Sequence, residues 1–289
     1  MRQFVERIKK DRIALLSLFV ITTVCSAAIF SPYLSPYPFD AQDTSDVLKG
    51  PSLKHLLGTD RLGRDILSRI IYGARISMLI GIVSSLISLA IGAVYGAISG
   101  LAGGKTDDFM MRLVDIIYSL PDLLLIILIS VVIGRSLWGI FIALSMVSWV
   151  TIARLIRGEV LKLKEQVFIE VARELGASNF RIIFNHLLPN TLGPLIVTLT
   201  FRIPAAILAE STLSFVGLGI TPPFSSWGTL SNDGWSAIKF YPHLLIFPSV
   251  TIFLTILSFN FFGDFIRDYF DPEMKYKISS NKDYVLRIK

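Results

Sequence analysis

The sequence predicts an all-α membrane protein with six transmembrane helices, both termini cytoplasmic, and a cytoplasmic helical loop near the middle of the chain. Three observations carry that prediction. Of the 289 residues 53% are hydrophobic and only 17% charged, with a mean hydropathy of +0.63, far more apolar than a soluble domain needs. Apolar runs close to the ~20 residues of a spanning helix recur along the chain. Between two of them lies Phe168 to Asn190, FIEVARELGASNFRIIFNHLLPN, a helix-prone island too polar to sit in hydrocarbon, which therefore belongs on one aqueous face.

Composition also excludes some chemistry. The single cysteine, Cys25, lies inside an apolar run, so there is no disulfide framework and no thiolate metal site. His55, His186 and His243 are scattered, with none spaced from another as a metal pair. The net charge of +6 fits loops facing an anionic leaflet better than it fits nucleic acid.

Met1 to Arg12 carries Arg2, Arg7, Lys9, Lys10 and Arg12 and leads into the uncharged run Ile13 to Phe30, the first span. A basic start, an apolar run and the small residues Ser26, Ala27 and Ala28 also describe a secretory signal peptide. The length of the run sides with a retained span. Residues 31–75 read as an irregular external segment, with Pro32, Pro36, Pro38 and Pro51. In its second half Asp60 and Asp65 alternate with Arg61, Arg64 and Arg69 around Gly63, giving a charge-laced turn. An amphipathic interfacial helix follows, with Ile66, Leu67, Ile70 and Ile71 on one side.

The second span, Ile76 to Leu101, has no charge, and Gly92, Gly96 and Gly100 repeat at four, a double GxxxG face for close helix packing. Gly103-Gly104-Lys105-Thr106 looks like the end of a phosphate-binding loop. Ser99 stands where the first glycine belongs, and a membrane helix precedes it where a strand should, so the chain has no ATPase engine of its own. The third span, Met110 to Gly134, is entered through Arg112 and Asp115 and carries Pro121 and Asp122 about a third of the way across. An ionisable group at that depth costs roughly 2.5 to 3.5 kcal/mol, so Asp122 should face protein or water. It sits either on a translocation path or in a helix–helix hydrogen bond.

The fourth span is Ser136 to Ala153, and residues 154–190 form the polar loop region. Within it Phe168, Ala172 and Leu175 make a narrow apolar stripe, Gly176 stops the helix, Ser178 or Asn179 caps the next, and Pro189 marks its end or bend. The fifth span, Leu187 to Ala209, is interrupted by Pro189, Pro194, Arg202 and Pro204. That pattern is poorly suited to lipid and well suited to lining a pore, where Arg202 would attract a carboxylate. Glu210 to Tyr241 is a second external segment, stiffened by Gly217, Gly219, Pro222 and Pro223. Leu244 to Gly263 is the sixth span, and a polar tail with Lys275, Lys277, Lys282, Arg287 and Lys289 follows.

Glu170, Val171 and Ala172, then Gly176, then Leu187, Leu188 and Pro189 resemble the EAA loop of ABC-importer permeases, with Val171 in place of the second alanine. The stretch His55 to Arg75, HLLGTDRLGRDILSRIIYGAR, resembles the signature LGTDxLGRDxxSRxxxGxRxS of dipeptide, oligopeptide and nickel permeases. Glu210 to Gly228 is similar to their ExxLSFLGLGxxPPxxSWG stretch, and Asn260 through Asp271 and Pro272 to their last signature. The resemblance implies a multi-pass subunit of the cytoplasmic (inner) membrane with an N-terminal part over residues 1–75, a permease core over 76–272 and a cytoplasmic tail over 273–289. It implies that Glu170, Ala172, Gly176 and Ser178 dock on an ATPase. It also implies that Gly58, Thr59, Asp60, Gly63, Arg64, Asp65, Gly217, Gly219, Pro222 and Pro223 form the external signatures. The expected partners are a second homologous permease subunit, two ATPase subunits that hold ATP and Mg, an external substrate-binding protein and membrane lipid, with no nucleic acid. This chain is expected to bind no cofactor and to catalyse no reaction, and the expected cargo is di- or oligopeptide, with nickel or its chelates as the alternative.

Six spans with the amino terminus inside put most Lys and Arg in the cytoplasm, as the positive-inside rule requires. Lys49, Lys54, Arg61, Arg64, Arg69 and Arg75 run against it in the first external loop. A competing function is a secondary transporter or channel that uses Asp122 and Arg202 as an ion relay. It explains neither the loop at 168–190 nor the external signatures. An intramembrane enzyme would need a paired catalytic set that the sequence lacks.

Overall fold

A computed structural model describes residues 2–270. Its elements are α1 (Arg2–Lys10), α2 (Arg12–Ile29), α3 (Ser31–Leu34), α4 (Ile66–Ala102), α5 (Gly104–Tyr118), α6 (Asp122–Ile133), α7 (Leu137–Leu163), α8 (Val167–Glu174), α9 (Asn179–Arg181), α10 (Leu188–Asn190), α11 (Leu192–Phe215), α12 (Trp227–Trp235) and α13 (His243–Phe270). A π-helical turn at Ile182–Leu187 joins α9 to α10. Five helices, α2, α4, α7, α11 and α13, are long and apolar enough to cross a membrane, and the bent pair α5 and α6 makes a sixth crossing if it is one span.

The longest helix is the axis. With 37 residues, α4 spans about 55 Å at ~1.5 Å per residue, against a hydrocarbon core of ~30 Å, so its ends project into water. At its N-terminal end Ile66, Ile70, Ala74 and Met78 pack with Trp227 and Leu230 of α12 and with Ala28 of α2. At its C-terminal end Ala93, Ala97 and Leu101 pack with Ile152, Ile156 and Val160 of α7 and with Ile169, Ile182 and Leu187 of the central loop. The signature loop and the central loop therefore lie at opposite ends of one helix. Phe4 of α1 meets Phe265 and Tyr269 edge-on, with ring centroids 5.5 and 5.2 Å away, at the C-terminal end of α13. His243, at the start of α13, lies beside Gly58. The described N-terminal helix and the end of α13 thus share the side that holds the central loop.

The glycine stripe on α4 does what its spacing predicts. A Cβ on Gly92 would lie 2.6 Å from the Trp149 carbonyl oxygen, one on Gly100 would lie 2.9 Å from Val160 Cγ1, and one on Gly96 would run into the Ala153 carbonyl. All three partners are on α7, so the two backbones approach as closely as helices can.

Five expectations are corrected. The third span is broken: α5 and α6 meet at 86°, because Pro121 lacks an N–H and disfavours helix in the residue before it. The helix starting at Ile66 is no interfacial helix; it is the buried first part of α4, covered by α12. The fourth span runs on to Leu163, since Ile156 and Val160 still have α4 to pack against. Glu210 is not external: α11 continues to Phe215 and buries it completely. In the loop stripe Ala172 is buried, while Phe168 and Leu175 face outward and Ile169 takes their expected place inside. Asp271, Pro272 and the basic tail lie outside the described residues.

Replacing Gly96 by Leu should force α4 and α7 apart and destabilise the folded protein by about 1–3 kcal/mol or more, as overpacking does. Unfolding in mixed detergent, compared with a change at Gly50, whose Cβ position is open, checks this.

Candidate functional site

Three groups of residues, one at each end of α4 and one at its middle, account for every candidate. At the N-terminal end the signature residues fold into a single knot. Asp60 accepts from the Leu62 and Arg64 amides at 2.8 and 3.0 Å, from Arg64 Nε at 2.7 Å and from Arg69 Nη1 at 2.6 Å. Asp65 caps α4 by accepting from the Ser68 amide at 2.8 Å, and its other oxygen lies 2.9 Å from His55 Nδ1. Thr59 Oγ1 accepts from the Lys49 amide at 2.9 Å. Gly63 has φ +71° and lies against the Asp43 carbonyl, so no other residue fits there without strain.

Asp46 gathers Lys49, Lys54 and His55 around one carboxylate. The hydrogen bonds from Lys49 and then Lys54 hold its carboxyl well below the ordinary carboxylate range, despite the opposing effect of burial. The same contact pushes Lys54 up. Gly217, Gly219, Pro222 and Pro223 line a cavity of about 580 Å³ together with Arg64, Arg69, Arg135 and Asp233. The two external signatures therefore face each other across one hollow, although some 150 residues separate them in sequence.

At the middle of α4, Asp122 and Arg202 come together as lining of one cavity of about 180 Å³, with Ser84, Ser85, Ser88 and Ser148. The break between α5 and α6 puts Asp122 at the first turn of α6, exposed. The Arg202 guanidinium donates from Nη2 to Thr151 Oγ1 on α7.

At the C-terminal end α8 closes on Gly176 at φ +80°, with the Ala177 amide bonded to the Ala172 carbonyl and the Gly176 amide to the Arg173 carbonyl, both 2.9 Å, a glycine C-cap. Ser178 then caps the next helix by accepting from the Arg181 amide at 3.4 Å. The loop shows two faces. Ile169, Ile182 and Leu187 are fully buried against α4 and α7, whereas Leu175 is 81% and Phe180 72% exposed, beside exposed Glu170 and Arg173. Of the four expected docking residues, Glu170, Gly176 and Ser178 are exposed, and Ala172 instead supports the inner face.

Sequence reading missed two devices. Arg157 makes a bidentate pair with Asp107, Nε to Oδ1 and Nη2 to Oδ2 both at 2.6 Å, and Lys164 Nζ donates to the Gly100 carbonyl at 3.1 Å; together they lock α4, α5 and α7 at the loop end. No local signal marks a pair separated by fifty residues. Trp227 is fully buried, its amide held by Ser77 Oγ at 3.1 Å and its indole N–H by the Ile70 carbonyl at 3.0 Å. The tryptophan of the second external signature was its visible trace.

The described residues thus form an all-helical bundle with five helices, or six crossings if the bent pair is one span, long and apolar enough for a membrane, with a polar cleft beside the middle of α4 and a partly apolar loop face at one end. A family model described as binding-protein-dependent transport system inner membrane component matches residues 92–276. A second, described as the N-terminal TM domain of oligopeptide transport permease C, matches residues 1–51. The oligopeptide transport system permease protein OppC of Bacillus subtilis is 41% identical, over 93% of this chain and 88% of its own length. The dipeptide transport system permease protein DppC of the same organism is 43% identical, over 93% of this chain and 84% of its own. The glutathione transport system permease protein GsiD of Pectobacterium atrosepticum is 38% identical, over 95% of this chain and 91% of its own. In fold the chain is similar to a chain of the MetNI methionine ABC transporter in an inward-facing form, with TM-score 0.59 and 20% identity, over 71% of this chain and 98% of that one. The chain belongs to the family of inner-membrane components of binding-protein-dependent transport systems, and within it to the peptide-transport permeases.

Acid should loosen the knot around Asp46. A carboxyl held low in the folded state contributes stability above its ordinary value of 3.8 and loses that contribution as pH falls below it. The protection of the Leu48 and Thr59 amides against hydrogen exchange, taken relative to their intrinsic rates at each pH, should therefore fall below that pH, since both are bonded within the knot. Asp46→Asn should show fast exchange at neutral pH with a weaker acid dependence.

Proposed function

We propose that this chain is a transmembrane permease subunit of an ATP-driven importer of di- or oligopeptides and that its 168–190 loop, on the cytoplasmic side, is the surface a separate ATPase subunit grips. The observation that carries the docking is the division of that loop into two faces. Its inner face is sealed onto α4 and α7, and its outer face leaves Leu175 and Phe180 uncovered next to charges, the pattern of an interface whose partner is another chain. Anchors of that kind carry most of the energy of an interface. ATP and Mg then belong to the partner. The Arg157–Asp107 pair and the Gly100 contact of Lys164 stiffen the ground beneath the loop, so a push on α8 is delivered to α4 and α7 together.

Cargo enters from the side of the external knot, where a binding protein hands it over, and crosses beside Asp122 and Arg202 with a second permease subunit completing the passage. The peptide cargo follows from what the relatives' names say of those proteins. A secondary transporter would leave the outer face of the loop without a purpose.

Gly176→Val separates docking from folding. A Cβ there meets no atom of this chain, yet the left-handed backbone disfavours it, so the loop should keep its seat while its outer surface changes shape. In the reconstituted complex, affinity for the ATPase chain should fall by about tenfold, roughly 1.4 kcal/mol, and ATP-driven peptide uptake should fall with it. Unchanged uptake would refute the docking role.

A further inference from the structure

The cleft at the middle of the bundle holds an arginine that the fold does not need. Elsewhere the arginines that brace the helices are neutralised: Arg157 by Asp107, Arg69 by Asp60, Arg154 by Asp115. Arg202 is half-buried near the middle of α11, and the hydrogen bond described for it goes to a hydroxyl, Thr151 Oγ1, from one of its five N–H groups. Among the described residues no carboxylate forms an ion pair with it. Asp122 lines the same cavity from α6 without closing on the guanidinium. A charge retained inside a membrane bundle with only a carboxylate across the cavity, and none in direct contact, is a functional feature by default.

The rest of the lining points the same way. Ser85 is 2% exposed and its Oγ has no hydrogen-bond partner, while Ser84 and Ser88 on the same wall already donate to the Ile80 and Ser84 carbonyls. Such an orphan in a bundle interior is costly unless something polar reaches it. The cavity, about 180 Å³, has room for roughly six waters at ~30 Å³ each, which is the size of one chain end and not of a whole oligopeptide.

We infer that this cleft binds the free α-carboxylate end of the peptide cargo, with Arg202 gripping the carboxylate through its fork of donors and the unpartnered Ser85 hydroxyl donating to what remains. Asp122, at the mouth, takes an N–H or ammonium group of the same cargo and disfavours simple anions that carry none. The inference rests on the importer reading and adds the chemical group for which the passage selects. No residue changes covalently; the site is one of passage and must release what it holds.

The test compares ATP-driven uptake of a dipeptide with that of its C-terminal amide by the complete transporter in liposomes, at saturating binding protein. Discrimination by the binding protein is common to all permease variants, so a change in the acid-to-amide ratio isolates the permease. Arg202→Gln should lower that ratio at least about tenfold, and Arg202→Lys, which keeps the charge but loses the fork, should restore part of it. An unchanged ratio in Arg202→Gln, or equal loss of both cargoes in Gln and Lys variants alike, overturns the inference. If Arg202→Gln does not assemble, Thr151→Val, which removes the arginine's hydroxyl partner, takes its place: a shift of the ratio by about threefold or more supports the site, and none overturns it. Failure of the unaltered transporter to import any peptide would sink the importer reading itself, and this inference with it, whereas normal uptake with an indifferent ratio sinks the arginine alone.

Discussion

Close backbone contact between α4 and α7 is the constraint on which the rest of the molecule depends. In lipid no hydrophobic effect drives two apolar helices together, so association has to come from packing and interhelical hydrogen bonds. Gly92, Gly96 and Gly100 remove the side chains that would hold α7 away, and Ser88 and Ser145 add hydroxyls directed at the facing backbone, with Ser145 Oγ 3.3 Å from the Ser84 carbonyl. Once the pair is fixed, three surfaces are fixed with it. The N-terminal end of α4 becomes the floor of the signature knot, its middle one wall of the cleft, and its C-terminal end the seat of the loop.

Charge is treated differently at these three levels. At both ends carboxylates and arginines are closed on each other, Asp60 with Arg64 and Arg69 on one side and Asp107 with Arg157 on the other. These pairs are compact and hydrogen-bonded, and their work is to hold loops that have little core of their own. At mid-depth the pairing is absent. Arg202 and Asp122 share a cavity without closing on each other, where desolvation makes an unclosed charge most expensive. Structural charge at the ends and available charge in the middle is the distribution expected of a wall along which a polar solute moves.

Much of this was legible in the sequence because the bilayer enforces simple rules. Five of the six expected spans followed from run length, and the third only if α5 and α6 count as one bent crossing; the α4–α7 contact followed from glycines at every fourth position, and the loop break at Gly176 from the one residue that adopts φ +80° freely. Two of the errors were misplaced ends of helices. Polarity argued that α7 should stop at Arg154 and α11 at Glu210, but Arg154 and Arg157 find Asp115 and Asp107, and Glu210 accepts from Ser214 Oγ at 2.6 Å inside its own helix. Partners contributed by distant segments let a helix carry charges past the point where hydropathy would end it. The break in the third crossing falls at Pro121, a residue visible inside a run that the sequence reading kept as one span. Its angle was not legible, because a proline sets where a helix yields and its neighbours decide how far.

The position of Thr151 ties the cleft to the loop. It lies one residue before Ile152, which is buried against α4, and Ile156 and Val160 on the following turns meet Ile169, Ile182 and Leu187 of the loop. One continuous helix, α7, therefore carries both the hydroxyl that holds Arg202 and the surface on which the loop is seated. A helix of 27 residues with its i to i−4 ladder intact transmits displacement along its axis with little loss. Under the docking proposed above, force applied at α8 passes through the Ile169, Ile182 and Leu187 cluster to α7, the helix that also carries Thr151. Coupling of this kind needs no relay of side chains between the sites, only a rigid element that belongs to both.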